Sequence, residues 1–269
     1  MTIEPTSPPT RLPAESDLAA DGLVRHGLVE RYQRDGFVRI RGVLTAQEVD
    51  RYRAAAAGYL AANRKRILEK SAVFSQLVDV WQHDETLAEL TLSAKLARVA
   101  EQLCELPLRV WHDQLLVKEP HSRTATEFHQ DRPFWPHAHD RHSLSAWVAL
   151  VDVPPERGCM TFLPTSQLHN GLRAQNLHDA EDLFRADPSL LWSERVTVPL
   201  KAGDCTFHNS YTGHMALPNE TDVARLAHVV IYMDEATRYT GTPHVVTDAL
   251  NMTAGEHFND DRFPRPAAT

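Results

Sequence analysis

His129 and Asp131 stand two residues apart in the stretch Glu127-Phe128-His129-Gln130-Asp131-Arg132-Pro133-Phe134-Trp135-Pro136. In extended chain, side chains at i and i+2 point to the same side. An imidazole and a carboxylate placed this way can grip one metal ion, given a third protein ligand from elsewhere. Two imidazoles and one carboxylate on one face of an iron leave three positions open for substrate chemistry, the facial triad of non-heme Fe(II) oxygenases. Alone, the same motif is equally at home as a solvated loop pair. The third ligand is expected on a later strand or turn, and residues 203–214 offer both His208 and His214. An earlier His83-Asp84-Glu85 is a rival motif, but acidic residues at a helix start already have an electrostatic reason to be there.

The elements that must position these groups can be read from pattern. Residues 23–34 read as a helix stopped by Gly36, and 37–44 as a strand rich in β-branched residues. Thr45-Ala46-Gln47-Glu48 is a capping box. The helix it opens is expected to run to about Arg66, with Val49, Tyr52, Ala56, Tyr59 and Leu60 on its buried stripe. A second long helix is expected over 87–103, stopped by Pro107. Beyond Pro107 the segments 108–117, 144–153, 160–163, 195–200, 205–208 and 227–233 are short, apolar and bounded by Pro, Gly and Asp, the signature of strands. Helices followed by many short strands predict an antiparallel barrel or sandwich with a helical layer on one side. Residues 168–192 interrupt the strands with a long polar segment and a short helix around 180–184. Insertions of that length lie over binding mouths or are plain surface excursions, and a lid is expected here.

Composition narrows the class. The 269 residues suit one large domain. Pro5, Pro8, Pro9 and Pro13, set among Thr and Ser, mark residues 1–17 as a flexible lead to a domain over 18–269. The net charge of −8 argues against nucleic acid as a partner, since phosphate binding needs a basic surface. Cys104, Cys159 and Cys205 are scattered and form no C-x-x-C, which fits a reducing compartment. No apolar run reaches the roughly 20 residues of a membrane span, and no secretory signal is visible. A cytoplasmic protein with no membrane partner is expected.

His129, Asp131, His214 and Arg225, the last two eleven residues apart, resemble the phytanoyl-CoA dioxygenase family of Fe(II)/2-oxoglutarate oxygenases. The resemblance covers about residues 25–265. It is supported by Leu116-Val117-Lys118-Glu119-Pro120, by Ser145-Ala146-Trp147-Val148-Ala149-Leu150 and by the run from Gly158 to Ser166. Where the family usually reads P-G-S-H, this chain has Pro164-Thr165-Ser166-Gln167. The resemblance implies a mainly β fold with a helical layer, its core a double-stranded β-helix of the jelly-roll, cupin-like kind. It implies Fe(II) on His129, Asp131 and His214, with 2-oxoglutarate and O2 as cosubstrates. His208 stays as the alternative third ligand.

By the same resemblance Arg225 holds the 5-carboxylate of 2-oxoglutarate, since its planar fork meets a carboxylate with two hydrogen bonds, and Lys118 and Trp147 line that pocket. A hydroxyl that relatives carry two residues after the distal histidine is replaced by Ala216, so Thr161 or Gln114 is expected to substitute. Lys118 can also be read as a solvated strand end and Trp147 as core. Halogenating relatives have a small residue where this chain has Asp131, so the resemblance implies hydroxylation or a related oxidation. Phe134, Trp135, His137 and Tyr211 are candidates to contact a small-molecule substrate, or are packing groups. No phosphate-cradling glycine loop marks a CoA site. A cupin-like metal-binding protein or isomerase that does without 2-oxoglutarate is the alternative, and Arg225 and Lys118 discriminate against it. Oligomeric state is not encoded in these motifs.

Overall fold

The computed structural model describes residues 16–19, 22–63, 75–259 and 261–266. Most of the expected lead, residues 1–15, lies outside them. Its last two residues are docked: the buried Asp17 carboxylate accepts from the Arg41 guanidinium at 2.8 Å.

Local sequence signals explain where the helices start and stop. Helix α1 (His26–Asp35) ends at Gly36, whose φ of 82° is left-handed and costs glycine little. Helix α2 (Ala46–Ala62) opens on the complete capping box: Thr45 Oγ1 accepts the Glu48 amide, and the Glu48 carboxylate accepts the Thr45 amide. It ends at Asn63, and the expected last residues, 64–66, lie outside the described ones. The single helix expected over 87–103 is two helices, α3 (Glu85–Thr91) and α4 (Ala94–Cys104). Ser93 causes the break, because its hydroxyl accepts the Leu96 amide as an N-cap. Thr91, the last residue of α3, turns its hydroxyl into the sheet, onto Asp113 and His228.

The strands form two antiparallel layers. In the larger sheet the order is β1 (Phe37–Ile40), β9 (Cys205–Asn209), β6 (Ser143–Ala149), β11 (Arg225–Asp234), β3 (Leu108–Lys118), β2 (Ser75–Val78). The smaller sheet runs β4 (Thr126–His129), β10 (His214–Ala216), β7 (Met160–Phe162), β8 (Val196–Val198). A short ribbon pairs β12 (Arg238–Tyr239) with β5 (His137–Ala138). Two expected strands are shorter than read: β1 stops at Ile40 rather than residue 44, and β6 at Ala149 rather than 153. At β1 the Asp204 carboxylate accounts for the stop, because it accepts the Gly42 amide and turns the chain away from the ladder.

Strand β11 is buried along its whole length because both of its faces are covered. Val230 and Tyr232 face the helical layer, packing with Val29, Val49 and Leu103. Ala227, Val229, Ile231 and Met233 face the smaller sheet, packing with Met160, Phe162 and Ala216. The two layers of core fix the register, since a slip of one residue would exchange the faces. A jelly roll closed by these sheets, with the helices α1–α4 packed on the larger one, results. Arg225 shares the odd-numbered parity of the inner face, so a cation is carried between the sheets.

The segment 168–192 packs on the outer side of the smaller sheet. Leu183, Phe184 and Leu190 form a third cluster with Phe128 and Leu163. Helix α5 (Asp182–Ala186) supplies the first two.

Candidate metal and cosubstrate site

The inner faces of the two sheets enclose a cleft of about 610 Å³, counted to its open mouth. His129, Asp131 and His214 meet at its floor, their ligand atoms all within 4.8 Å of one another. His129 and His214 are direct partners across the β4–β10 ladder, which brings the two imidazoles together. Strand β4 ends at His129, and Asp131 lies in helical backbone at the start of a single 3-10 turn. The i, i+2 rule nevertheless holds in effect. Gln130 points the other way, fully buried, donating its amide to the carbonyls of His169 at 2.8 Å and Tyr211 at 2.7 Å.

Each imidazole is held in one orientation. His129 Nδ1 bonds the Glu127 carbonyl at 2.8 Å, and His214 Nδ1 bonds the Thr212 carbonyl at 3.0 Å. A carbonyl only accepts, so each Nδ1 carries the proton and each Nε2 keeps its lone pair. Asp131 Oδ1 lies 3.5 Å from His129 Nε2 and 3.7 Å from His214 Nε2. Burial, with His129 nearby, pushes His214 down to about 3, so the imidazole is neutral at physiological pH, as metal binding requires. Burial works to raise the Asp131 carboxyl, but the imidazoles of His214, His129 and His208 hold it well below the usual carboxylate range. Backbone-oriented imidazoles beside one carboxylate are a donor set that fits a divalent iron.

His208 is also brought to this floor. Its Nε2 is 3.5 Å from Asp131 Oδ2, the oxygen that also accepts from Ser145 Oγ at 3.3 Å. Ser145 and His208 are direct partners across β6 and β9, which aims both at one oxygen. Asp131 is thereby divided: Oδ1 faces the two ligand-type nitrogens and Oδ2 is held by the larger sheet. Ser145 was not expected from sequence. Its small size and strand parity with Trp147 were the available signal.

Arg225 lines the same cleft, only 2% exposed. Its guanidinium lies over the Trp147 ring, 5.3 Å from the centroid, and donates to the Gly158 carbonyl at 3.3 Å. Its Nε has no hydrogen-bond partner and no carboxylate among the described residues pairs with it. Burial lowers it to about 10, so it stays charged. Gln114, Trp147 and Trp135 also line the cleft.

Lys118, Thr161 and His137 do not reach it. The Lys118 ammonium is spent on the carbonyls of Thr124, Ala216 and Leu217, at 2.9, 3.1 and 2.9 Å. Burial and the neighbouring Arg225 push it down to about 7. Thr161 faces outward by strand alternation, since Met160 and Phe162 face in, and its hydroxyl bonds Thr197 at 2.9 Å. His137 is packed edge-on against Trp111, centroids 4.6 Å apart. Phe134 is part-exposed beside His129, centroids 6.4 Å apart. Tyr211 sits under the Arg132 guanidinium.

The model of the family described as phytanoyl-CoA dioxygenase (PhyH) matches residues 32–227. Among solved structures, the non-heme alpha ketoglutarate dependent carbocyclase SnoK from nogalamycin biosynthesis is 35% identical, with TM-score 0.82 over 90% of this chain and 96% of that one. The epimerase SnoN of the same pathway, in complex with Fe3+, alpha ketoglutarate and nogalamycin RO, is 36% identical, with TM-score 0.77 over 88% and 96%. L-proline trans-4-hydroxylase of Streptomyces griseoviridis is 29% identical over 147 residues, 53% of this chain and 54% of that protein. The chain spans about half the length of the curated relatives it matches. With the family model matching well over half of the chain, the protein belongs to the phytanoyl-CoA dioxygenase family.

Proposed function

We propose that the protein is an Fe(II)/2-oxoglutarate-dependent dioxygenase that oxidises a free small molecule of a natural-product pathway. The observation that carries this reading is a buried cation with no carboxylate of its own, Arg225, in the cleft that holds His129, Asp131 and His214. Burying an unpaired guanidinium costs free energy, and a bound dicarboxylate supplies the missing partner. A cupin-like protein that does without 2-oxoglutarate has no use for that cation.

Bound Fe(II), 2-oxoglutarate and O2 together supply a two-electron oxidation of substrate, coupled to decarboxylation of 2-oxoglutarate to succinate and CO2. His129 and His214 present fixed Nε2 lone pairs, and Asp131 presents Oδ1. Ser145 and His208 hold Oδ2 back. Arg225 takes the distal carboxylate, and its position fixes which way round the cosubstrate lies. Trp147 covers the guanidinium and keeps water from it, which strengthens the ion pair. Asp131 fills the position that halogenating relatives leave small, so oxidation is the reading rather than halogen transfer.

Trp135, with Leu116, Val229 and Ile231, gives the cleft an apolar wall. Phe134 stands nearer the surface. These suit a ring-bearing substrate, and the similar epimerase SnoN holds nogalamycin RO. The net charge of −8 disfavours nucleic acid, and among the described residues no helix is long and apolar enough to cross a membrane. The three free cysteines support our reading of a reducing, cytoplasmic setting.

The assignment of ligands is tested by iron content. His129→Ala, Asp131→Asn and His214→Ala are each expected to lose stoichiometric iron together with succinate formation. His208→Ala is expected to keep most of its iron. Iron retained in His214→Ala and lost in His208→Ala would make His208 the third ligand.

A further inference from the structure

We infer that Thr126 supplies the second contact to the distal carboxylate of 2-oxoglutarate, in place of the hydroxyl that Ala216 lacks. The inference rests on the proposed cosubstrate. Thr126 and Ala216 are direct partners across β4 and β10, and both line the cleft with Arg225. Side chains of directly opposed residues have Cβ atoms about 5 Å apart. A hydroxyl moved from one strand to the other therefore addresses the same end of the cleft. The Thr126 hydroxyl makes no hydrogen bond among the described residues, and the residue, only 5% exposed, lines the cleft.

Two features fix the pairing. The β4–β10 ladder shifts register between His214 and Ala216, so His129 and Thr126, three residues apart, both face inward. Strict alternation would have sent Thr126 out. Second, the Lys118 ammonium binds the carbonyls of Thr124 and Ala216 together at 2.9 and 3.1 Å. It clamps the two strands where the pair sits. The other candidates for the missing contact are less well placed: Thr161 faces outward, and Gln114 lies opposite Val229 on β11, four residues along the strand from the Arg225–Lys118 pair.

The test is calorimetric binding of 2-oxoglutarate to the Mn(II)-loaded protein without O2. Thr126→Val keeps the shape and removes the hydroxyl. It is expected to weaken binding about tenfold, the lower end for a hydrogen bond to a charged group. Thr126→Val combined with Ala216→Ser is expected to recover most of that loss, by returning a hydroxyl to β10. Wild-type affinity in Thr126→Val would overturn the inference, as would a double variant as weak as Thr126→Val, since a purely structural loss is not rescued from the opposite strand. Arg225→Ala is the control. If it too binds like wild type, or if wild type does not bind 2-oxoglutarate, the cosubstrate reading itself is what has failed.

Discussion

In the proposed reading Arg225 and Asp131 serve the chemistry by opposite means. Asp131 is a charge surrounded by partners, and Arg225 is a charge kept waiting for one. A guanidinium that meets a carboxylate in a water-poor cleft contributes roughly 1.5–3 kcal/mol net through charge-assisted hydrogen bonds. Arg225→Ala is therefore expected to weaken 2-oxoglutarate binding by roughly 10- to 150-fold, at about 1.4 kcal/mol per decade. Arg225→Lys keeps the charge without the fork and recovers only part. Iron content is unchanged in both, because Arg225 is not a ligand. Equal loss of iron and cosubstrate in Arg225→Ala would mean that the residue supports the fold. At this scale the spacing of His129, Asp131, His214 and Arg225 was legible, because ligand-type residues at set intervals survive as a pattern in one dimension. Ser145 and the second hold on Asp131 were not, since cross-strand pairing brings residues 145 and 208 together from far apart in the chain. Thr161 was misread for want of one parity count: Met160 faces in, so its neighbour faces out.

Long strands with strong patterns were legible, as were the short strands β7, β8 and β9, and the shortest ones were not. Strands β3 and β11 announce themselves as apolar runs. Strands β10 and β5, of three and two residues, carry no pattern of their own. They are strands because neighbours pair with them, which is tertiary context overriding local preference. Ser93 was legible in principle as an N-cap, but a continuous apolar stripe on both sides of it masked the break. The segment 168–192 remains the element with most to reveal. Its inner residues, Leu183, Phe184 and Leu190, are packed against Phe128 of β4, the strand that carries His129, while Trp192 is 90% exposed and Leu168 73%. None of its residues lines the cleft. We propose that its exposed part closes over bound substrate, which would keep bulk water from the iron. Hydrogen exchange at saturating substrate is expected to show slowed amides near residues 168–172 and 190–192. Unchanged exchange throughout the segment would make it a fixed buttress behind β4.

The whole molecule buries several histidines as neutral groups away from the cleft floor. Burial pushes His112, His142 and His244 each down to about 4. Unfolded, each takes up a proton near pH 6.5. The unfolded chain therefore binds protons first as pH falls, and the stability present above about 6.5 is lost progressively toward about 4. Asp113, pushed up to about 7 by burial, works in the opposite direction, and the adjacent His228, pushed down to about 3, offsets it. The metal-free protein is expected to lose roughly 1–3 kcal/mol of unfolding free energy in urea between pH 7 and 5.5, and His112→Gln to lose less. Unfolding free energy that is flat over this range would refute the assignment of neutral buried histidines. The central claim is that this fold couples the buried Arg225 to an iron on His129, Asp131 and His214. Its most direct test is the fate of 2-oxoglutarate on the Fe(II)-loaded protein. On admission of O2, one succinate is expected for each 2-oxoglutarate consumed, in wild type and not in Asp131→Asn, with the rate rising when a ring-bearing natural-product substrate is supplied. Stoichiometric iron with no succinate, over a panel of such substrates, would contradict the account.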